Sequence, residues 1–197
     1  MNEYLNILSK ELKKEYGRKA QFELILIGGA CIVFEYHFRD ASTDMDGFIR
    51  DGYDIKDVIN RCVDQYDFPS GWLNSEFTKT SSYSPNLYAY SKFYKTYNQI
   101  LTVRLIVDEY LIAMKLKSFR DYKRDQSDIV GIINENKEIT IDSIKNAVID
   151  LYGNESAISK DGWEFIENIY HKDDLKSFYK EVITNESYVR SRFIDIE

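Results

Sequence analysis

Proline and glycine are scarce in this chain of 197 residues, two and nine respectively. That excludes long disordered linkers. Histidine and cysteine are scarcer still, with two of each. His37, His171, Cys31 and Cys62 are too few to build a zinc site of the usual kind, so any metal must be held by oxygen, which favours Mg²⁺ or Mn²⁺. Both cysteines sit among apolar neighbours and are expected to be reduced core thiols. No apolar run approaches the ~20 residues of a membrane span. Met1 to Lys19 alternates charges with isolated apolar residues and lacks a signal-peptide core. The expected setting is therefore cytoplasmic and off the membrane. Basic residues number 26 against 33 acidic, a net charge of -7. This balance argues against a general nucleic-acid coat and leaves room for a local basic patch.

What is present is a well-supplied core: 44% of residues are apolar and 15% aromatic. A chain of this length buries roughly 70% of the surface its unfolded form exposes and folds without staples. Leu5, Leu8, Leu12 and Tyr16 fall at helical spacing and predict an amphipathic helix over residues 2–16. Phe22 to Ile27 predicts a buried strand, ended by Gly28-Gly29, with a short helix over residues 30–36. A second strand is expected over residues 45–49 and a helix over 53–68. Residues 69–98, rich in Ser, Tyr and Asn, show no clear period. Gln99 to Val107 predicts a strand with Leu101, Val103, Leu105 and Val107 on one face. Asp108 is the expected N-cap of a helix over 109–119. Further helices are expected over 125–134, 140–152, 162–170 and 173–183. Strands crowd the first half and helices the second, which predicts an α+β fold with a small mixed sheet and flanking helices.

Two short stretches carry the chemistry. A strand ending in Gly28-Gly29 before a helix lets backbone N–H groups approach an anion, although the same pair also makes an ordinary tight turn. Fourteen residues after Ala30, Asp44-Met45-Asp46 alternates two carboxylates with one apolar side chain. On a strand both carboxylates share a face while Met45 enters the core. Two like charges side by side call for a cation, and a pair of carboxylates suits Mg²⁺ bound together with substrate phosphates. The alternative is a solvated strand edge where acids prevent aggregation. A glycine nest facing such a metal is what transfer from a nucleoside triphosphate requires. Lys115, flanked by Met114 and Leu116, either snorkels to water or meets phosphate oxygens. It opens a basic segment with Lys117, Arg120, Lys123 and Arg124. Asp128, with Asp125 nearby, either pairs with Lys115 or Arg124 or stands as another site acid. Arg39 either fixes the turn before Asp44 or reaches a phosphate, and Ser42 and Thr43 are caps of that turn or phosphate contacts. Trp72 and the tyrosines between Tyr83 and Tyr97 either stack a base or, as with Trp72 beside Leu73, belong to the core.

The order of these motifs resembles the minimal nucleotidyltransferases of the polymerase-β-like superfamily. The likeness is closest to bacterial AbiEii- and MenT-type toxin relatives and an uncharacterised nucleotidyltransferase-like group among them. It rests on Ile27-Gly28-Gly29, on Arg39-x-x-Ser42-Thr43-Asp44-x-Asp46, on Pro69-x-x-Trp72-Leu73-Asn74, and on Met114-Lys115-Leu116 followed by Asp125-x-x-Asp128-Ile129. Together these span roughly residues 22–133. The resemblance implies a nucleotidyltransferase core over 1–133 and a helical C-terminal extension over 134–197, separate or packed on the core as one domain. It implies Mg²⁺ (or Mn²⁺) at Asp44 and Asp46, and catalytic roles for Asp44, Asp46, Lys115 and Asp128. Nucleotide contacts are implied for Gly28, Gly29, Arg39, Ser42, Thr43 and Lys115. The implied reaction moves a nucleoside monophosphate from a triphosphate to a hydroxyl of RNA or protein, in a toxin–antitoxin setting with an antitoxin partner. The sequence departs from the pattern in three places that bear on activity, one of them Ser75, which stands where the pattern commonly carries an acid after Asn74. Gly29 stands where many relatives carry Ser, and residues 99–107 hold no third carboxylate, for which Glu76, Asp108 and, by preference, Asp128 are the substitutes. The alternative function is a catalytically inactive nucleotide- or partner-binding module on the same fold.

Overall fold

A computed structural model describes residues 1–36, 38–39, 44–50 and 54–194. Its elements follow the apolar periodicity closely. Helix α1 (Asn2–Tyr16) buries Leu5, Leu8 and Leu12, and β1 (Phe22–Ile27) is buried at all but Glu23. Then come α2 (Gly29–Glu35), β2 (Met45–Ile49) and α3 (Lys56–Tyr66). The aromatic stretch without a clear period resolves into small pieces: β3 (Leu73–Asn74), two 3-10 turns (Glu76–Lys79 and Pro85–Tyr90) and β4 (Ser91–Tyr97). β5 (Leu101–Ile106) closes the strand set, and α4 (Asp108–Ser118), α5 (Asp125–Glu135), α6 (Ile141–Tyr152), α7 (Lys160–Tyr170) and α8 (Leu175–Ile194) follow.

The five strands form one mixed sheet in the order β3-β2-β1-β5-β4. β1 lies antiparallel to β2 and parallel to β5, while β3 is parallel to β2 and β4 antiparallel to β5. A central strand buried at successive positions must be covered on both faces, which an alternating strand would not require. The flanking helices supply that cover: α1 packs on α3 and β4, and α2 on β1 and β2. Farther along the chain, α6 packs on α4 and α8 on α5. Ile144, Val148, Ile166 and Ile169 of α6 and α7 belong to the same hydrophobic cluster as the sheet.

Several expected boundaries shift for identifiable reasons. α3 begins at Lys56, and its expected first residue, Tyr53, lies outside the described residues. It stops at Tyr66 because Asp67 adopts a left-handed conformation (φ 57°, ψ 39°) and Phe68 precedes a proline. The final strand starts at Leu101 instead of Gln99, since Asn98 and Gln99 have φ of 47° and 61° and turn the chain from β4 into β5. Asp108 is not a cap. Val107 holds the cap position and Asp108 is the first helical residue, its carboxylate accepting from Tyr36 Oη (2.7 Å) and Asn136 Nδ2 (2.9 Å). The last helix extends eleven residues past its expected end at Ile183. Cys31 and Cys62 are buried free thiols, pushed by desolvation up to about 12 and about 11.

Candidate active site

The antiparallel pairing of β1 with β2 sets Ile27 opposite Asp46. Gly28, the next residue, is thereby brought against the acid pair. Gly28 takes φ 64° and ψ -137°, a conformation that disfavours any side chain, and a Cβ there would stand 3.5 Å from Asp46 Oδ2. The backbone turn is what calls for glycine, since the 3.5 Å to the carboxylate is an ordinary contact distance. Met45 enters the core at 1% exposure, and Asp44 and Asp46 on either side of it line one cleft of about 530 Å³ together with Gly28 and Gly29. Desolvation, and then the neighbouring charge of Asp44, hold the Asp46 carboxyl above the ordinary carboxylate range. β3 pairs Asn74 with Asp46 in register, and from there Asn74 Nδ2 donates to Asp44 Oδ2 at 3.3 Å. The amide fixes one acid of the pair.

α4 and α5 build the opposite wall. Lys115 is only 8% exposed, so it neither snorkels nor faces solvent freely. Its Nζ lies 2.7 Å from Asp128 Oδ2 and 3.4 Å from Asp125 Oδ1. Burial alone would depress the ammonium, but the charges of Asp128 and Asp125 outweigh it and the pKa is raised. Asp125 also accepts from the Arg120 guanidinium at 2.8 and 3.2 Å and from its backbone N–H at 3.2 Å. Burial works against the Asp125 charge, yet Lys115 and Arg120 prevail and its pKa is lowered. Arg39 Nη1 donates to Asp128 Oδ2 at 2.7 Å. Asp128 therefore joins the two cations from different parts of the chain. Arg39 is held in turn by its neighbour: Phe38 lies on Gly131 of α5 so closely that a Cβ there would be 2.5 Å from the ring, and Tyr179 Oη donates to Phe38 O at 3.0 Å.

The described residues expected at the site, Gly28, Gly29, Arg39, Asp44, Asp46, Lys115 and Asp128, all line this one cleft. Ser42 and Thr43 lie outside the described residues. Of the substitutes for a third carboxylate, Glu76 is exposed and paired with Lys79, and Asp108 does not line the cleft. Among the described residues no cluster of three or more metal-ligating side chains occurs. The acid pair alone fits an ion of the Mg²⁺ kind, which takes one or two protein carboxylates and completes its octahedron with water and phosphate oxygens. Trp72 is core. Tyr83, Tyr90 and Tyr94 pack on Phe77, Tyr110 and Phe34, respectively.

Two contributors from α8 went unforeseen. Arg190 lines the cleft and donates to Tyr122 O at 3.2 Å. With Lys123 and Arg124 it gives the cleft mouth a basic rim. Glu186 is 3% exposed, and its Oε1 accepts from the backbone N–H groups of Gln126 and Ser127 at 3.0 and 3.1 Å. It caps α5 from another helix, at the turn that presents Asp125 and Asp128. Burial raises its pKa, and its Oε2 has no hydrogen-bond partner. No local pattern marks either residue, because their partners lie about sixty residues away in sequence.

A larger groove of about 610 Å³ runs between α3 and the outer edge of β2. It holds neither the acid pair nor the basic rim, so it is the less suited to a polyphosphate despite its size. No helix among the described residues is long and apolar enough to cross a membrane. No curated protein matches the chain, and no solved structure does. A family model does match, over residues 3–181, and its description is "Nucleotidyltransferase of unknown function (DUF6036)". The match takes in the Gly28 turn, the acid pair, Lys115 and Asp128, while Glu186 and Arg190 fall beyond it. The chain belongs to this family of nucleotidyltransferases of unknown function.

Proposed function

We propose that the protein is a metal-dependent enzyme that transfers a nucleoside monophosphate from a nucleoside triphosphate to an acceptor hydroxyl. The observation that carries this reading is the sharing of one cleft by the Gly28-Gly29 turn, the Asp44/Asp46 pair and a rim of cations. Asp44 and Asp46 would hold Mg²⁺ (or Mn²⁺). When bound, the ion would supply charge neutralisation at the phosphates and acidify the acceptor hydroxyl. The chain's own residues do the rest. The open Gly28 turn admits a phosphate close to backbone, and Arg39, Arg120, Lys123, Arg124 and Arg190 offset the triphosphate charge. Asn74 keeps Asp44 oriented. In the reaction the acceptor oxygen bonds to the α-phosphorus, the α–β phosphoanhydride bond breaks, pyrophosphate departs and the hydroxyl proton passes to solvent.

The basic rim favours an acceptor hydroxyl on RNA over one on protein, since an RNA brings phosphates of its own. Toxin action, restrained by an antitoxin partner in the cytoplasm, is the biological form of this proposal. Its readout is growth arrest on induced expression. The direct test is transfer of label from each of the four α-labelled triphosphates to total RNA and total protein, with Mg²⁺ present. Asp46→Asn should lower transfer at least about a hundredfold and leave the melting temperature nearly unchanged. Retained transfer in that variant would defeat the site assignment. One observation favours the rival reading of a binding module without catalysis: Asp128, the preferred third acid, is engaged by Lys115 and Arg39. Tight triphosphate binding with no pyrophosphate release would select it.

A further inference from the structure

The cleft does not end at Lys115. Beyond that side chain a recess of about 230 Å³ opens between α4 and the segment following β3. Gly28, Asp46 and the Lys115–Asp125–Arg120 group line both spaces, so recess and cleft meet at the acid pair. Their far walls are opposite in chemistry. The cleft ends on Lys123, Arg124 and Arg190. The recess ends on the buried side chains of Phe77, Leu111 and Met114, with the hydroxyls of Thr80, Ser82 and Ser118 among them and the Glu76 carboxylate, paired with Lys79, also in the lining.

Building on the nucleotidyltransferase reading, we propose that this recess seats the nucleobase of the triphosphate whose phosphates occupy the cleft. Three features argue for a base over any other part of a substrate. The first is size: at about 230 Å³ the recess exceeds the ~150 Å³ of a cavity that accepts a single benzene ring, enough for one planar ring system and too little for a folded oligonucleotide. The second is its walls. An aromatic ring, a thioether and a leucine offer faces for a π-system, and the far wall carries no cation for a phosphate. The third is the hydroxyl pair. Thr80 Oγ1 donates to Phe77 O at 2.7 Å and lies 2.9 Å from Ser82 Oγ, so Ser82 donates to Thr80 and the lone pairs left on the two oxygens can accept from an N–H edge of a base. Lys115, its charge already met by Asp128 and Asp125, stands between the two compartments as a divider.

The experiment compares two ligands on the full-length chain by calorimetric titration with Mg²⁺: inorganic triphosphate, which needs only the cleft, and the four nucleoside triphosphates, which need both spaces. Thr80→Trp and Ser118→Phe fill the recess from different walls, so misfolding of one, checked by circular dichroism, leaves the other informative. Nucleoside triphosphates should bind the wild type at least about tenfold more tightly than inorganic triphosphate. Each filled variant should lose that advantage while inorganic triphosphate binds as before. Unchanged nucleoside triphosphate binding in both variants would overturn the proposal. So would a wild type that gains nothing from the base, and so would unchanged binding with slowed transfer, which would give the recess to the acceptor. Failure of the wild type to bind even inorganic triphosphate is a different result, because it would remove the nucleotidyltransferase reading of the cleft itself.

Discussion

Lys115 and Asp128 hold opposite charges 2.7 Å apart in an interior that would reject either alone. Orphaning a buried charge in this way commonly costs about 3–5 kcal/mol. Lys115→Met should cost less than that, because each acid keeps a second cation: Asp128 retains Arg39, and Asp125 retains Arg120. Asp128→Asn leaves Lys115 with Asp125 alone, at 3.4 Å, and should be the more destabilising of the two. Urea denaturation of both variants checks the order, and the reverse order would mean that Lys115 is better served by Asp125 than the distances indicate. The acid pair itself was legible in the sequence because alternation on a strand is a local property. The role of Arg39 was not, since its partner lies 89 residues away and an arginine before a turn has several ordinary uses. Lys115 was legible as unusual, an ammonium among apolar neighbours, while the two acids that make its burial tolerable sit on the next helix.

Helix ends decide more here than helix middles. Glu186 of α8 satisfies two N–H groups of the first turn of α5, groups that a helix cannot pair internally. Glu186→Ala should cost about 1–2 kcal/mol, the usual worth of a cap, and should weaken triphosphate binding through the displaced turn. Glu186→Gln keeps the accepting oxygen and should bind normally. The two differ in pH response. Burial raises the Glu186 pKa above its ordinary 4.5, so in the window above that value the folded chain keeps a proton that the unfolded chain has released. Wild-type stability should therefore rise relative to Glu186→Gln as pH falls from neutrality toward 4.5. Thermal melts across that range would show the slope, and parallel curves would contradict it. On the next turn of α5, Gly131→Ala pushes a methyl into Phe38, where ideal placement gives 2.5 Å. Overpacking of this kind costs about 1–3 kcal/mol, and here it also dislodges the segment bearing Arg39. A matched loss of triphosphate affinity is expected by titration. The α1 and β1 limits agree with the apolar pattern, a helical period in one and a continuous run in the other. α8 outran its expected end because residues 184–188 are mostly polar, and its inward position there is filled by Glu186 where a period count looks for Leu or Ile.

Across the whole molecule the charge is -7, while the cleft mouth is ringed by Lys123, Arg124 and Arg190. A polyanion approaching such a protein is attracted at the cleft mouth against an overall repulsion. Raising the salt from about 0.05 to about 0.5 M should weaken nucleoside triphosphate binding roughly tenfold at fixed Mg²⁺, as screening shortens the reach of these exposed groups. Indifference to salt would mean that they do not meet the phosphates. The sheet carries one half of the cleft near the start of the chain, and α8 brings Glu186, Arg190 and the Tyr179 bond to Phe38 from its far end. On a ribosome, where segments emerge in order, the glycine turn and the aspartates are exposed to the cell long before the helix that completes their surroundings has been made. A chain without α8 would lack both the Glu186 cap on α5 and the Arg190 side chain in the cleft lining.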